Sequence, residues 1–362
     1  MLRLRAAGAG LIALSAQRWS HRLAGRLAVC FTVVLCGAIV GSAQTRRPTN
    51  RPAAPSASRH PPFKAIFEPI AYPRDVRITG VFFLDAETGW TCGDDGRGSG
   101  SGGFIAATRD GGRTWTLQLG GANLPEPAIA QVYFFDATHG WASRADGTLL
   151  HTTDGSTWIP DGHVPPSRAL AFISPRNGFM LEADGVQKTE DGGRTWQPVY
   201  RCRVAIETAG LPGESSCVPR AIAFAPDRTT GYLLADLPDS RPSVLIRTED
   251  AGGTWSLTSA SVPARALGIA VAGSAGWMVG SHDFSYTFDD GKRWTWRRVE
   301  FPEQVLASTV VDADTGYVAG AHGMLYRFRI VPFDYAVPHM LTVPGMTTFV
   351  PWTGSPAAME QQ

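Results

Sequence analysis

The chain has 362 residues, 44% of them hydrophobic and 18% charged, with 33 basic against 32 acidic side chains. That is the composition of an ordinary soluble globular protein, long enough for one large domain or two medium ones. The first 62 residues hold nine arginines and no acid, so the rest has 33 − 9 = 24 basic against 32 acidic residues, a charge of about −8. A general nucleic-acid binder would show a basic footprint instead.

Residues 1–43 read as a secretory signal peptide. Arg3, Arg5, Arg18, Arg22 and Arg26 precede the apolar run "LAVCFTVVLCGAIV" at 27–40, and small residues follow, with cleavage expected after Ala43. Fourteen apolar residues are short for a membrane span. An uncleaved anchor is the alternative, and membrane contact is expected only through it. Residues 44–62 are rich in Pro, Ser, Ala and Arg and read as a disordered linker. The protein is therefore expected outside the cytoplasm, periplasmic or extracellular.

The stretch "FKAIFEPI" at 63–70 has strand composition and no partner in its own unit. Beyond it, one pattern recurs. "VFFLDAETGW" at 81–90 matches "VYFFDATHGW" at 132–141, "LAFISPRNGF" at 170–179 and "IAFAPDRTTGY" at 222–232, then "GIAVAGSAGW" at 268–277 and "STVVDADTGY" at 308–317. Six copies spaced by roughly 40–50 residues mark a solenoid or a propeller. Within one unit, "VYFFD", "WASRA", "TLLHT" and "TWIP" read as four short strands joined by turns. No stretch shows sustained helical periodicity. The prediction is an all-β propeller over 63–352, six four-stranded blades (alternatively seven), with a disordered tail at 353–362. Residues 63–70 are expected to close the ring as the outer strand of blade six, because closure removes the open seam.

A second motif recurs five times: "TRDGGRTW" at 108–115, "TTDGSTW" at 152–158, "TEDGGRTW" at 189–196, "TEDAGGTW" at 248–255 and "TFDDGKRW" at 287–294. A catalytic set would occur once, among unlike partners. Five copies read as staples in the turn between strands three and four. Asp110, Asp154, Asp191, Asp250 and Asp289 should accept backbone N–H groups of their own turns. The Thr hydroxyls are expected to bond across the hairpin. Trp115, Trp158, Trp196, Trp255 and Trp294 are expected to fill the gap between strands.

This element resembles the Asp-box, or BNR repeat, of sialidase-type propellers. Combined with the "F-x-D-x-x-x-G-W" run, it looks like the photosystem II assembly/stability factor family of cyanobacteria and chloroplasts, over about residues 78–330. The second box lacks one glycine, the fifth has Arg293 in place of Thr, and the sixth unit has none. The resemblance implies a noncatalytic scaffold that holds a protein partner. The alternative is a glycan-acting or glycan-binding protein. The Arg-Ile-Pro element of sialidases is missing, the nearest runs being "RIT" at 77–79 and "RIV" at 329–331.

Cys202 and Cys217 flank an insertion and are expected to form a disulfide, as an exported protein permits. Closing that loop stabilises by about 3 kcal/mol in the chain-entropy model. Cys92 is left as a buried thiol. No Cys or His spacing resembles a zinc site, and no cofactor is expected. The partner-binding prediction falls on Arg74, Arg77, Arg168, Arg220 and Arg265, which precede the first strands of blades and should gather at one mouth of the channel. Converging guanidinium groups suit an acidic peptide or a C-terminal carboxylate. Arg outnumbers Lys thirty to three, so abundance alone is no argument. The protein is expected to act as a monomer on a protein or acidic peptide.

Overall fold

In the computed structural model, the described residues are 63–332, apart from 99, 122–124, 165–168, 209–210, 239–242, 263–265 and 273. The expected signal peptide, linker and tail, and the expected extension of the propeller over 333–352, lie outside them.

The structure is a six-bladed propeller. Blade one comprises β2 (Arg77–Phe83), β3 (Gly89–Asp94), β4 (Phe104–Thr108) and β5 (Thr116–Gly120). Blade two comprises β6 (Ile129–Phe134), β7 (Gly140–Arg144), β8 (Thr148–Thr152) and β9 (Ile159–His163). Blade three is β10 (Leu170–Phe172), β11 (Gly178–Leu181), β12 (Gly185–Thr189) and β13 (Gln197–Arg201). A separate hairpin, β14 (Arg203–Thr208) with β15 (Leu211–Ser216), precedes blade four. Blade four is β16 (Val218–Phe224), β17 (Gly231–Asp236), β18 (Ser243–Thr248) and β19 (Ser256–Val262). Blade five is β20 (Ala266–Ala272), β21 (Ala275–Gly280), β22 (Asp283–Thr287) and β23 (Thr295–Arg298). Blade six takes β24 (Val305–Val310), β25 (Thr315–Gly320) and β26 (Leu325–Pro332), and its outer strand is β1 (Phe63–Pro69). All pairing is antiparallel, and β1 runs along β26 from Phe63↔Pro332 to Pro69↔Tyr326. The expected closure by residues 63–70 is thus observed.

The repeated sequence pattern is a repeated seam. The Phe ending each of four inner strands lies over the Gly that opens the next strand. A Cβ on Gly89, Gly140 or Gly178 would come 2.5 Å from the ring of Phe83, Phe134 or Phe172. That ring also stacks on an aromatic of the preceding blade: Phe83 on Tyr317 at 3.5 Å, Phe134 on Trp90 at 3.5 Å, Phe172 on Trp141 at 3.6 Å. The turn Trp then closes edge-on, as Trp115 does on Phe83 and Trp158 on Phe134. Each such Trp therefore fills the seam between its own blade and the one before it. The gap between strands that these rings were expected to fill is here a gap between the strands of two blades.

The turns themselves are internally bonded. Thr108 Oγ1 donates to Asp110 at 2.8 Å and accepts from Gly112 N–H at 2.9 Å. Asp110 also accepts from the backbone and hydroxyl of Thr114. The same set recurs at Thr189–Asp191–Thr195 and Thr248–Asp250–Thr254. So the Thr hydroxyls serve their own turn and do not bridge the hairpin. In the fifth copy Arg293 supplies the missing hydroxyl's bond through its guanidinium, 2.6 Å from Asp289. The glycine that donates to Thr has positive φ in each full-length copy, as at Gly193 (101°).

Departures in the repeat leave traces in the seams. Trp141 Nε1 donates to Gly192 O in the turn of blade three. Trp90 faces the shortened turn of blade two, and Trp277 faces blade six, which has no such turn. Their indole N–H groups are buried with no hydrogen-bond partner among the described residues. In the seam of blades five and six, Phe67 of β1 takes the place of the turn Trp, packing on Phe284, Phe301 and Phe328.

The Cys202–Cys217 disulfide forms at the base of the β14–β15 hairpin. Cys92 is a buried free thiol, and burial pushes its pKa up.

Candidate functional site: an arginine cleft on the entry face

Antiparallel order sorts the loops onto two faces. The turns between strands one and two, and between three and four, lie at one end of each blade. The turns between strands two and three lie at the other, with the connections into each next blade. We call this second end the entry face. The Gly-rich insertion 94–103 and the β14–β15 hairpin both belong to it, and the Thr–Asp–Trp turns belong to the opposite face. Long loops on a rigid scaffold are suited to binding.

The insertion is held in place. Asp94 accepts Gly96 N–H at 2.9 Å and Asp95 accepts Arg97 N–H at 2.9 Å. Gly100 O accepts Ala128 N–H, and Gly103 N–H donates to Glu126 O, so the loop is docked on the connection into blade two.

Beside it lies a cleft of about 590 Å³ at the junction of blades one and six. Arg74, Asp75, Arg77, Asp95, Arg97 and His322 are among its lining residues. The wall from blade six is the short turn Ala321–Gly323. Gly323 N–H donates to Val76 O at 2.7 Å, and a Cβ there would lie 2.4 Å from Arg74 O. This close approach, at φ 68°, needs glycine. His322 also adopts φ 51° and sets Nδ1 3.0 Å from Asp75.

The predicted arginines are only partly brought together. Arg74 and Arg77 share the cleft. Arg77 opens β2 and lies 3.6 Å from the buried carboxylate of Asp94. Arg74 has no acidic partner among the described residues. Arg220 sits elsewhere, at the bulge of β16, where Pro219 pairs with Ala235 and Ala221 with Leu234. Its guanidinium bonds Asp236, which also accepts the Ser243 hydroxyl at 2.7 Å. Arg77 lies six residues before the seam Phe83, and Arg220 four before Phe224. Arg168 and Arg265 lie outside the described residues. Asp75, Asp95, Arg97 and His322 are charged or titratable lining residues that the sequence reading did not name. Arg97 stood inside the Gly-rich insertion, and nothing local ties His322 to blade one.

No family model matches the chain, and no curated protein does. Solved structures do. A Bacteroides thetaiotaomicron protein of unknown function aligns with TM-score 0.52 at 8% identity, covering 75% of this chain and 77% of that one. A putative gluconolactonase aligns at 0.50 and 16% identity, covering 74% and 92%. A structure of YCF48 bound to D1 peptide aligns at 0.47 and 18% identity, covering 74% and 97%. At these identities the likeness is one of fold.

Among the described residues, no group of three His, Cys, Asp or Glu side chains is arranged to hold a metal ion. No helix there is long and apolar enough to cross a membrane.

Proposed function

We propose that the protein is a noncatalytic, exported, monomeric propeller scaffold that holds an acidic segment or a C-terminal carboxylate of a partner protein in the entry-face cleft. The observation that carries this reading is Arg74. It lies in the cleft with Arg77 and Arg97 and has no acidic partner among the described residues. An incoming carboxylate can take up that guanidinium without breaking an existing ion pair, by a charge-assisted and often bidentate bond.

Three further features support it. The insertion 94–103 forms part of the cleft wall as a docked, preshaped loop. The Asp carboxylates of the repeated turns are occupied by their own Thr and backbone donors, which suits staples and leaves them no free proton-transfer role. The disulfide suits an oxidising compartment. The Asp-box and assembly-factor resemblance of the sequence belongs to this same reading.

The test is fluorescence anisotropy of the mature protein with a labelled acidic peptide, ending either in a free carboxylate or in an amide. Arg74→Ala with Arg77→Ala should weaken binding at least tenfold while melting stays within a few degrees. A folded double variant with unchanged affinity sinks the proposal. Pull-down from the envelope fraction with the same pair of proteins then identifies the partner.

A further inference from the structure

Six blades present six outer strands, and a free strand edge is a template for another chain. Five of these edges are protected. β5, β9, β13 and β19 each carry a bulge against their neighbour. Pro160 and Pro198 further interrupt β9 and β13. β14 lies against β19. β1 carries Pro69, and its Glu68 is clamped by Arg327 and Arg329.

β23 differs. It pairs with β22 in unbroken register from Asp283↔Arg298 to Tyr286↔Thr295, and it contains no proline. Its four residues are all exposed. Trp296 is 57% exposed, whereas the other described tryptophans are buried or half-buried in the seams. The fold gains little from a Trp at this position, and its exposed ring costs solubility.

The backbone direction follows from one bond. Val299 N–H donates to His282 O at 3.0 Å. Antiparallel pairs alternate between bonded and unbonded, so Arg297 and Thr295 face β22 and the N–H and C=O groups of Trp296 and Arg298 face outward. Arg297 Nη1 lies 3.3 Å from the outward Trp296 carbonyl.

We propose that β23 is a docking edge that takes an extended acidic peptide by strand addition. The outward groups of Trp296 and Arg298 would supply the ladder, the indole an anchor and Arg297 the charge complement, while Arg298 would exchange its exposed partner Glu300, 3.1 Å away, for an incoming carboxylate. Strand addition by a second copy of β23 would set arginines against arginines, so the charge selects a foreign acidic strand. This site is separate from the entry-face cleft and stands without it.

The probe is a fluorescein-labelled peptide of alternating glutamate and valine, measured against the full chain. Trp296→Ala should weaken binding about tenfold or more. Arg298→Gln keeps the outward N–H and should weaken it a few-fold. Arg298→Pro removes that N–H at an edge position where proline is tolerated, and should abolish binding with an unchanged melting point. Every variant is made in the Arg74→Ala/Arg77→Ala background, so that the entry-face cleft does not contribute to the reading. Equal binding by the Gln and Pro variants would refute strand addition. So would binding of a sulfated polysaccharide in preference to the peptide, or a dimer by sedimentation that Arg298→Pro dissolves. Lack of binding by the unaltered protein would refute it as well.

Discussion

Glu68 on β1 accepts two hydrogen bonds from Arg327 on β26, at 3.2 and 2.6 Å, while Arg329 bonds its other oxygen at 2.6 Å. These bonds join the first described strand to the last. Phe67 beside it packs on Phe284, Phe301 and Phe328, where the other seams use a Trp. Closure therefore rests more on the ring than on the exposed ion pairs, which are weak in water.

Truncating that ring should be costly. Phe67→Ala is expected to destabilise by about 2 kcal/mol, less than a fully buried Phe because Phe67 is half-buried. Glu68→Gln should cost clearly less than Phe67→Ala, because its ion pairs are exposed. Urea denaturation of the two variants measures both, and the reverse ranking would show that the ion pairs hold the ring. Deleting 63–70 should lower the melting temperature more than either.

Glycine in the seam is a second test. Gly140→Ala puts a Cβ 2.5 Å from the Phe134 ring, which is itself stacked on Trp90. The expected loss is about 1–3 kcal/mol, as for overpacking. Phe134→Leu should recover part of it in the double variant. Additive losses in that cycle would mean the two residues do not meet.

The turn carboxylates predict an acid transition. Bonds from Thr114 draw the Asp110 carboxyl down to about 2. Asp191 reaches about 2 although burial opposes it, because Thr195 and Thr189 bond it. Asp250 does so through the Thr254 N–H and the Thr248 and Thr254 hydroxyls. A folded pKa below the unfolded value gives stability that is present above the unfolded pKa and lost as pH falls through the folded one. The denaturation midpoint should hold from pH 7 to about 5 and fall between roughly 4 and 2. Asp110→Asn, Asp191→Asn and Asp250→Asn together should flatten that fall; an unchanged slope would assign it to other groups.

The disulfide should act locally. Reducing Cys202–Cys217, or replacing both with Ser, releases a loop with sequence separation 15. The expected loss is about 3 kcal/mol in the chain-entropy model. Hydrogen exchange should speed first in β14 and β15. Equal acceleration across blades one and six would contradict a local tether.

The sequence by itself determined the repeat. Its turns, its Gly–aromatic pairs and the Thr–Asp–Trp staples are local patterns, and each recurs often enough to declare its role without a neighbour. The count of six blades, the closing strand and the disulfide followed from units left short or interrupted. Tertiary structure alone decided what lies across the seams. Trp115 was legible as a packing residue, yet only the ring shows that it packs on Ile70 and Tyr72 ahead of its own blade. The cleft was half legible for the same reason: Arg74 and Arg77 are close in sequence, while His322 reaches them through closure of the ring. Trp296 follows the staple Trp294 by two residues, and the motif marks only the first. One is half-covered because a preceding blade lies over it, and the other is exposed because no described blade does. Burial is a property of neighbours, and in a closed ring those neighbours come from distant parts of the chain.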